Sequence, residues 1–475
     1  MSAAGARAGG RLTAGRAAVG AVVSALAERL DRLPGAATFV LVAVPLLALY
    51  LTSATYGPIQ SPDPRAAATT AWQLTAHGNI TLDAFAGDNP WLVRAGGRLV
   101  SNRQPGVAVF ALPFYRLAGA SPAEGLSYAP AGVAAAVAAA LAMGVLHLSL
   151  RRLAPPSQAV AAAYVAGLAT ATWSVSADAL WPHGPDQLWL ATAVLALAAG
   201  RWAVAGAGFG LVVLARPHAA VVPLVCGLWE ARRRRAWRPA AVVGAVSALG
   251  VAALVAYNHT VYGGWSISGG YGSEFTDKLV GATPFRFDVN VLGALVTPDR
   301  GILSHSPFLL VLVPGLRGAW RAAPSWVRAA AVAGAAYTLL NLRMNRFSGG
   351  VNFYSYRYPL EGLTLAAPLL LLSYRDWVAG TAGRRRVFAT LVAASVAVQG
   401  LGAFVWSPRF VARDPWTSST IAEAAAEVGG VVTALLVVCV AVVYTLAGQG
   451  GRGGVGAEQG GRGGVGAERR GGYGR

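Results

Sequence analysis

Hydrophobic residues in this chain are clumped into blocks of roughly 15–25 residues separated by short Arg-bearing loops, the length a helix needs to cross a ~30 Å hydrocarbon core. Only helices or closed barrels satisfy their backbone groups in lipid, so such blocks predict a bundle of membrane helices. In order they lie near 36–55, 126–150, 157–177, 186–200, 203–215, 218–230, 239–258, 301–316, 327–342, 358–374, 387–406 and 428–447, twelve in all. A soluble reading fails on composition. Of the 475 residues, 55% are hydrophobic and 12% charged, about half the charged fraction of a soluble domain. The expected fold is therefore an all-α polytopic membrane protein.

The net charge of +19 invites a nucleic-acid reading, but the Arg runs Arg232 to Arg235 and Arg384 to Arg386 sit between apolar blocks without interleaved aromatics. They read as topology signals. With both termini in the cytoplasm, 25 basic residues fall inside, 13 outside and one, Arg216, at a helix break, although the outer loops are the longer. The two cysteines, Cys226 and Cys439, lie in apolar blocks and read as packing residues. Residues 1–35 carry five Arg and no apolar core, so the first span is expected to anchor the chain.

Three regions follow: a basic cytoplasmic segment 1–35, a transmembrane domain 36–447, and a Gly/Arg-rich tail 448–475 that includes a ten-residue tandem repeat and is expected to be disordered. Two stretches depart from simple spanning. Residues 105–118 are apolar but short, and counting them as a span would put Arg151 and Arg152 on the wrong side; they are expected to form a re-entrant or interfacial helix. The blocks 203–215 and 218–230 meet at Arg216-Pro217, where proline frees a carbonyl that protein, ligand or water must satisfy.

The long outer segments, 56–125 and 259–300, are where function is expected, and fourteen of the twenty acidic residues fall on that side. Asp63 stands out because it follows the first span within a few residues, between Pro62 and Pro64, ahead of a short helix reaching His77. A carboxylate at the lipid–water boundary can take a proton from a hydroxyl while a lipid-borne leaving group stays in the membrane. Capping of the helix is the alternative role. His183 and Asp186, three residues apart in an outer loop, suit a divalent cation or a sugar hydroxyl, with helix capping by Asp186 the simpler account. The stretch Tyr262 to Phe275, with Trp265 and Tyr271, reads as a sugar platform or as an interfacial aromatic belt.

The ordered set of these features resembles the GT-C superfamily of integral-membrane glycosyltransferases, the protein mannosyltransferase and lipid A aminoarabinose transferase groups among them. It comprises a first span, Asp63, a surface helix ending His77-Gly78, and Arg103-Gln104-Pro105-Gly106 leading to Pro113-Phe114-Tyr115. Next come Gly210 to Pro217, Tyr257-Asn258 with Tyr262-Gly263, Thr297 to Leu303 with Ser306-Pro307, and Gly349-Gly350 with Tyr356-Arg357-Tyr358-Pro359. Together they cover roughly residues 36–375. The chain departs from the pattern at Gln104, where many relatives carry a His, and at Tyr356-Arg357, where a Gly-Pro-Arg run is usual. The second acid of the first outer loop would be Asp83 or Asp88.

The resemblance implies a single inverting displacement at the outer membrane face. Asp63 would activate an acceptor hydroxyl, which attacks the anomeric carbon of a polyprenyl-phosphate sugar and expels polyprenyl phosphate. The phosphate needs a guanidinium fork, for which Arg357, Arg300 and Arg216 are the candidates; snorkelling of Arg at span ends is their structural alternative. No metal ligand set is assigned, and a divalent cation stays open. The acceptor is a glycan, lipid or protein. The rival reading is a transporter or lipid flippase, against which stand the lack of an inverted repeat and the placing of acids at the surface. A non-catalytic scaffold would need neither Asp63 nor Arg357.

Overall fold

The computed structural model describes residues 21–430, apart from 23, 59, 60, 88, 282, 284, 351, 352 and 406–413. It is a helical bundle whose elements follow the apolar blocks. Helices α1 (Gly35–Ser53), α2 (Pro62–His77), α3 (Gly106–Leu117) and α4 (Ala129–Leu150) come first, followed by α5 (Pro156–Leu168) and α6 (His183–Ala198). Then come α7 (Trp202–Ala215), α8 (Val221–Arg234), α9 (Arg238–Tyr262), α10 (Ser273–Val280) and α11 (Phe287–Val296). The eighth expected span is broken into α12 (Ile302–His305), α13 (Phe308–Leu312) and α14 (Leu316–Ala322), with Pro307 and Pro314 at the breaks. Last are α15 (Ser325–Met344), α16 (Leu360–Ser373) and α17 (Ala382–Phe404). Among the described residues, α1, α4, α9 and α17 are long and apolar enough to cross a membrane unaided. The expected span 428–447 and the tail 448–475 lie almost wholly outside the described residues.

Helix α4 is the hub. Its run of alanines, Ala134, Ala135, Ala138, Ala139 and Ala142 all fully buried, lets α1 and α6 approach closely. Small residues do in lipid what hydrophobic burial does in water, since apolar tails compete equally for large apolar side chains. The outer faces of α1 and α9 keep Val40, Val44 and Leu249 exposed, as lipid-facing helices should.

Residues 105–118 form a 12-residue helix, α3, which at 1.5 Å per residue is ~18 Å long and too short to span. It packs on α2 and α4 instead. One element departs from the all-α expectation. Leu92–Ala95 and Arg98–Ser101 pair as an antiparallel hairpin, β1 and β2, across a turn at Gly96-Gly97 in which both residues have positive φ. That geometry is easy only for glycine and matches the twist of the flanking strands. The hairpin delivers Asn102 and Arg103 to the same end of the bundle as Asp63.

Candidate functional site

Proline sets the backbone at Asp63. With Pro62 and Pro64 in the first turn of α2 and Ser61 at the cap position, Asp63 lies inside the helix rather than capping it. Its carboxylate turns to two arginines from distant parts of the chain. Oδ1 forms an ion pair with Arg103 Nε at 2.7 Å, and Oδ2 accepts from Arg357 Nη1 at 2.6 Å. Burial would raise the Asp63 pKa, but Arg103 and Arg357 outweigh it and hold the carboxyl well below the usual range, so it is ionised.

Each arginine is held in turn. Arg103 donates through Nη1 to the Tyr271 hydroxyl at 3.0 Å and lies over its ring. The helix that follows Arg103 is fixed by Gly106, where an added Cβ would come within 2.7 Å of the Ala215 nitrogen; only glycine allows α3 to meet the end of α7 this closely. Arg357 sits among aromatic faces, its guanidinium carbon 4.8 Å from the Trp181 ring centre, 5.1 Å from Phe353 and 4.9 Å from Tyr358. It also donates to the Gly349 carbonyl and to the Tyr358 hydroxyl. Cation–π contacts with hydrogen bonds at the edge fix the plane of the fork.

These groups line a cavity of about 460 Å³ together with Arg216, Asn102, Gln104, Asn341 and Asn345. Arg216, at the break between α7 and a short turn at Pro217–Ala220, forms part of its wall and reaches behind it. Nε pairs with Asp186 Oδ2 at 3.2 Å, Nη1 donates to the Tyr337 hydroxyl at 3.1 Å, and Nη2 lies 3.1 Å from His183 Nε2. His183 Nδ1 is 2.8 Å from Glu361 Oε1, which is also 3.7 Å from Arg216 Nη1. All these partners are buried.

The expected residues thus divide. Asp63, Arg216, Arg357 and Tyr271 line one cavity, with His183 and Asp186 directly behind Arg216. Both of those touch a guanidinium, and a cation held by the pair would sit against that positive charge, so they do not fit a metal. Among the described residues no cluster of three or more metal-ligating side chains forms. Arg300 does not line the cavity. It is fully buried, pairs with Asp299 at 3.1 Å and donates to the carbonyls of Phe353 (2.5 Å) and Ser355 (3.3 Å), bracing the segment that carries Arg357. Asp83 accepts from the Leu99 amide at 2.7 Å at the hairpin, away from the cavity. Trp265 is 72% exposed and stacks on His259. Asp88 lies outside the described residues.

Two residues escaped the sequence reading. Arg103 was visible only as part of a motif. Glu361 was hidden in an apolar block, although a carboxylate inside a membrane span is itself a functional signal.

No family model matches the chain, and no curated protein sequence does. Solved structures do match. ArnT from Cupriavidus metallidurans bound to undecaprenyl phosphate aligns over 87% of this chain and 76% of its own, at 15% identity and a TM-score of 0.52. The same protein in the apo state aligns over 87% and 73%, at 16% identity and a TM-score of 0.53. At such identity the likeness is one of fold: the chain shares the polytopic helical membrane fold of ArnT.

Proposed function

We propose, from a fold shared with ArnT that carries a carboxylate between two guanidiniums at a polar cavity, that this chain is a glycosyltransferase of the outer membrane face, taking sugar from a polyprenyl phosphate and passing it to an acceptor hydroxyl. The observation that carries the reading is the Arg103–Asp63–Arg357 triad. It supplies a base and two phosphate forks within one side chain's reach of each other.

The triad also suggests an order of events. A carboxylate held by two guanidiniums is a weak base, because their charge favours its ionised form. A donor phosphate competes for the same N–H groups, and Arg216 adds a third fork from the cavity wall. As Arg103 and Arg357 turn to the phosphate, Asp63 loses its counter-charges and regains basicity. Its carboxylate then takes the acceptor hydroxyl's proton and the hydroxyl oxygen forms the new bond to the anomeric carbon. The bond from that carbon to the phosphate oxygen breaks with its electron pair, and polyprenyl phosphate leaves as a dianion matched by the arginines. Attack opposite the leaving group inverts the anomeric centre. In this scheme Arg300 is a positioning residue behind Arg357.

One observation favours the carrier alternative, the buried cluster of Arg216, Asp186, Glu361 and His183. Reconstituted protein separates the two. A transferase releases polyprenyl phosphate from a labelled sugar donor when membrane acceptors are added, at a rate that needs Asp63. A carrier moves the donor between leaflets and leaves its sugar–phosphate bond intact; that result would overturn the proposal.

A further inference from the structure

Beyond the arginines, the cavity wall carries carboxamides whose hydrogen bonds are not all used. Tyr337 and Asn341, four apart, share one face of α15, and Asn345 follows as its C-terminal cap in extended backbone. Tyr337 holds Arg216 through its hydroxyl. One turn on, Asn341 is ~6 Å further along the axis and lines the cavity. Asn345 donates to Asn341 Oδ1 at 2.9 Å, which leaves the fully buried Asn341 Nδ2 as a donor without a partner. Asn102, delivered by the hairpin, lines the same cavity and has a buried Oδ1 acceptor without a partner. A buried polar group left unpaired is costly, so both atoms point to a ligand that pairs them.

We infer that this wall reads the donor's sugar, and that the sugar is uncharged and recognised through its hydroxyls. The inference rests on the donor reading given above. A hydroxyl both donates and accepts, and so uses Asn341 Nδ2 and Asn102 Oδ1 alike; a carboxylate only accepts and an ammonium only donates. Charge agrees. Only two acids line the cavity among the described residues. Asp63 is taken by two arginines before the donor binds and by the acceptor hydroxyl once the phosphate holds them, and Glu274 pairs with Lys278 at 2.6 Å. Asp186 and Glu361 lie behind Arg216. An amino sugar therefore meets guanidiniums and no free carboxylate, which costs it affinity. A carboxylate in place of that hydroxyl would accept from Asn341 and leave Asn102 Oδ1 facing another acceptor.

Native mass spectrometry of the full chain released from nanodiscs measures the inference with four probes: bare undecaprenyl phosphate and the same lipid carrying mannose, 4-amino-4-deoxyarabinose or glucuronic acid. The mannosyl lipid should bind about two- to tenfold tighter than the bare lipid, the range that one or two net hydrogen bonds give. Asn341→Ala and Asn102→Ala should each erase that gain. The amino and uronic sugars should bind no tighter than the bare lipid. A mannosyl lipid that gains nothing, or an amino or uronic sugar that binds tightest, overturns the inference and leaves the donor reading standing. Failure of bare undecaprenyl phosphate to bind at all overturns the donor reading and the inference together. If Asn341→Ala does not fold, Asn102→Ala carries the test alone.

Discussion

Replacing Asp63 by Asn separates the roles of the triad. In the native protein both carboxylate oxygens are engaged, at 2.7 Å to Arg103 and 2.6 Å to Arg357. Asn keeps one acceptor oxygen and turns an NH₂ group toward the other guanidinium, so one arginine is released and the second is bound only by a neutral acceptor. Charged hydrogen bonds are worth ~1.5–3 kcal/mol net against ~1 kcal/mol for neutral ones, and these part-exposed groups are screened by solvent, so the loss over the two guanidiniums together is on the order of 1 kcal/mol. That loss falls on the donor-free state, in which the arginines otherwise serve Asp63. Polyprenyl phosphate should therefore bind the Asn variant at least as tightly as the native protein, up to about fivefold tighter. Turnover should move the other way, falling ~10²–10⁴-fold with the loss of the general base. The assay pairs lipid titration by native mass spectrometry with release of polyprenyl phosphate from a labelled donor. An Asn variant that turns over at near native rate would refute the base assignment. Binding that weakens along with turnover would refute the handover of arginines from carboxylate to phosphate.

Other consequences follow from the same geometry. Arg357→Lys keeps charge but loses the planar fork and the aromatic stacking, so it should lose most of its activity and approach Arg357→Ala; full activity in both variants would remove Arg357 from the site. The depressed pKa of Asp63 predicts that the acid limb of kcat/KM, which reports the free enzyme, lies below the ordinary carboxylate range, whereas the limb of kcat lies higher because the donor takes the arginines away. Coincident limbs would contradict this. By the same sign the triad's contribution to stability is present above the unfolded carboxyl pKa and is lost as pH falls through the lower folded value. Cysteines placed at the exposed positions Ala86 and Ser273 should react with an impermeant reagent in intact cells, and those at Ala236 and Thr381 should not; labelling at Ala236 would overturn the orientation.

Much of the architecture was legible because the length of an apolar block is a direct measure of a membrane helix. The Arg216-Pro217 break was legible for a similar reason, since proline cannot donate within a helix. Asp63 could be found because prolines on both sides and a preceding span leave a carboxylate few structural excuses. Its partners were harder. Arg103 looks like any loop arginine until the Gly96-Gly97 turn and the contact of Gly106 with Ala215 aim the segment that carries it. Glu361 was masked by its apolar neighbours, and its link to His183 joins positions 178 residues apart. Arg300 shows the converse. An arginine beside Asp299 at the outer edge of a span reads as a phosphate ligand, yet its reach is spent on the carbonyls of Phe353 and Ser355. Nothing in local sequence distinguishes a fork aimed at a cavity from one aimed at backbone.

The most direct test of the central claim is a cryo-electron microscopy structure of the chain with undecaprenyl phosphate bound. The account predicts the phosphate in the cavity beside Asp63, its oxygens taking hydrogen bonds from Arg357 and from Arg103 or Arg216, with at least one of the two Asp63 ion pairs opened. A phosphate bound elsewhere while both pairs stay closed would contradict it.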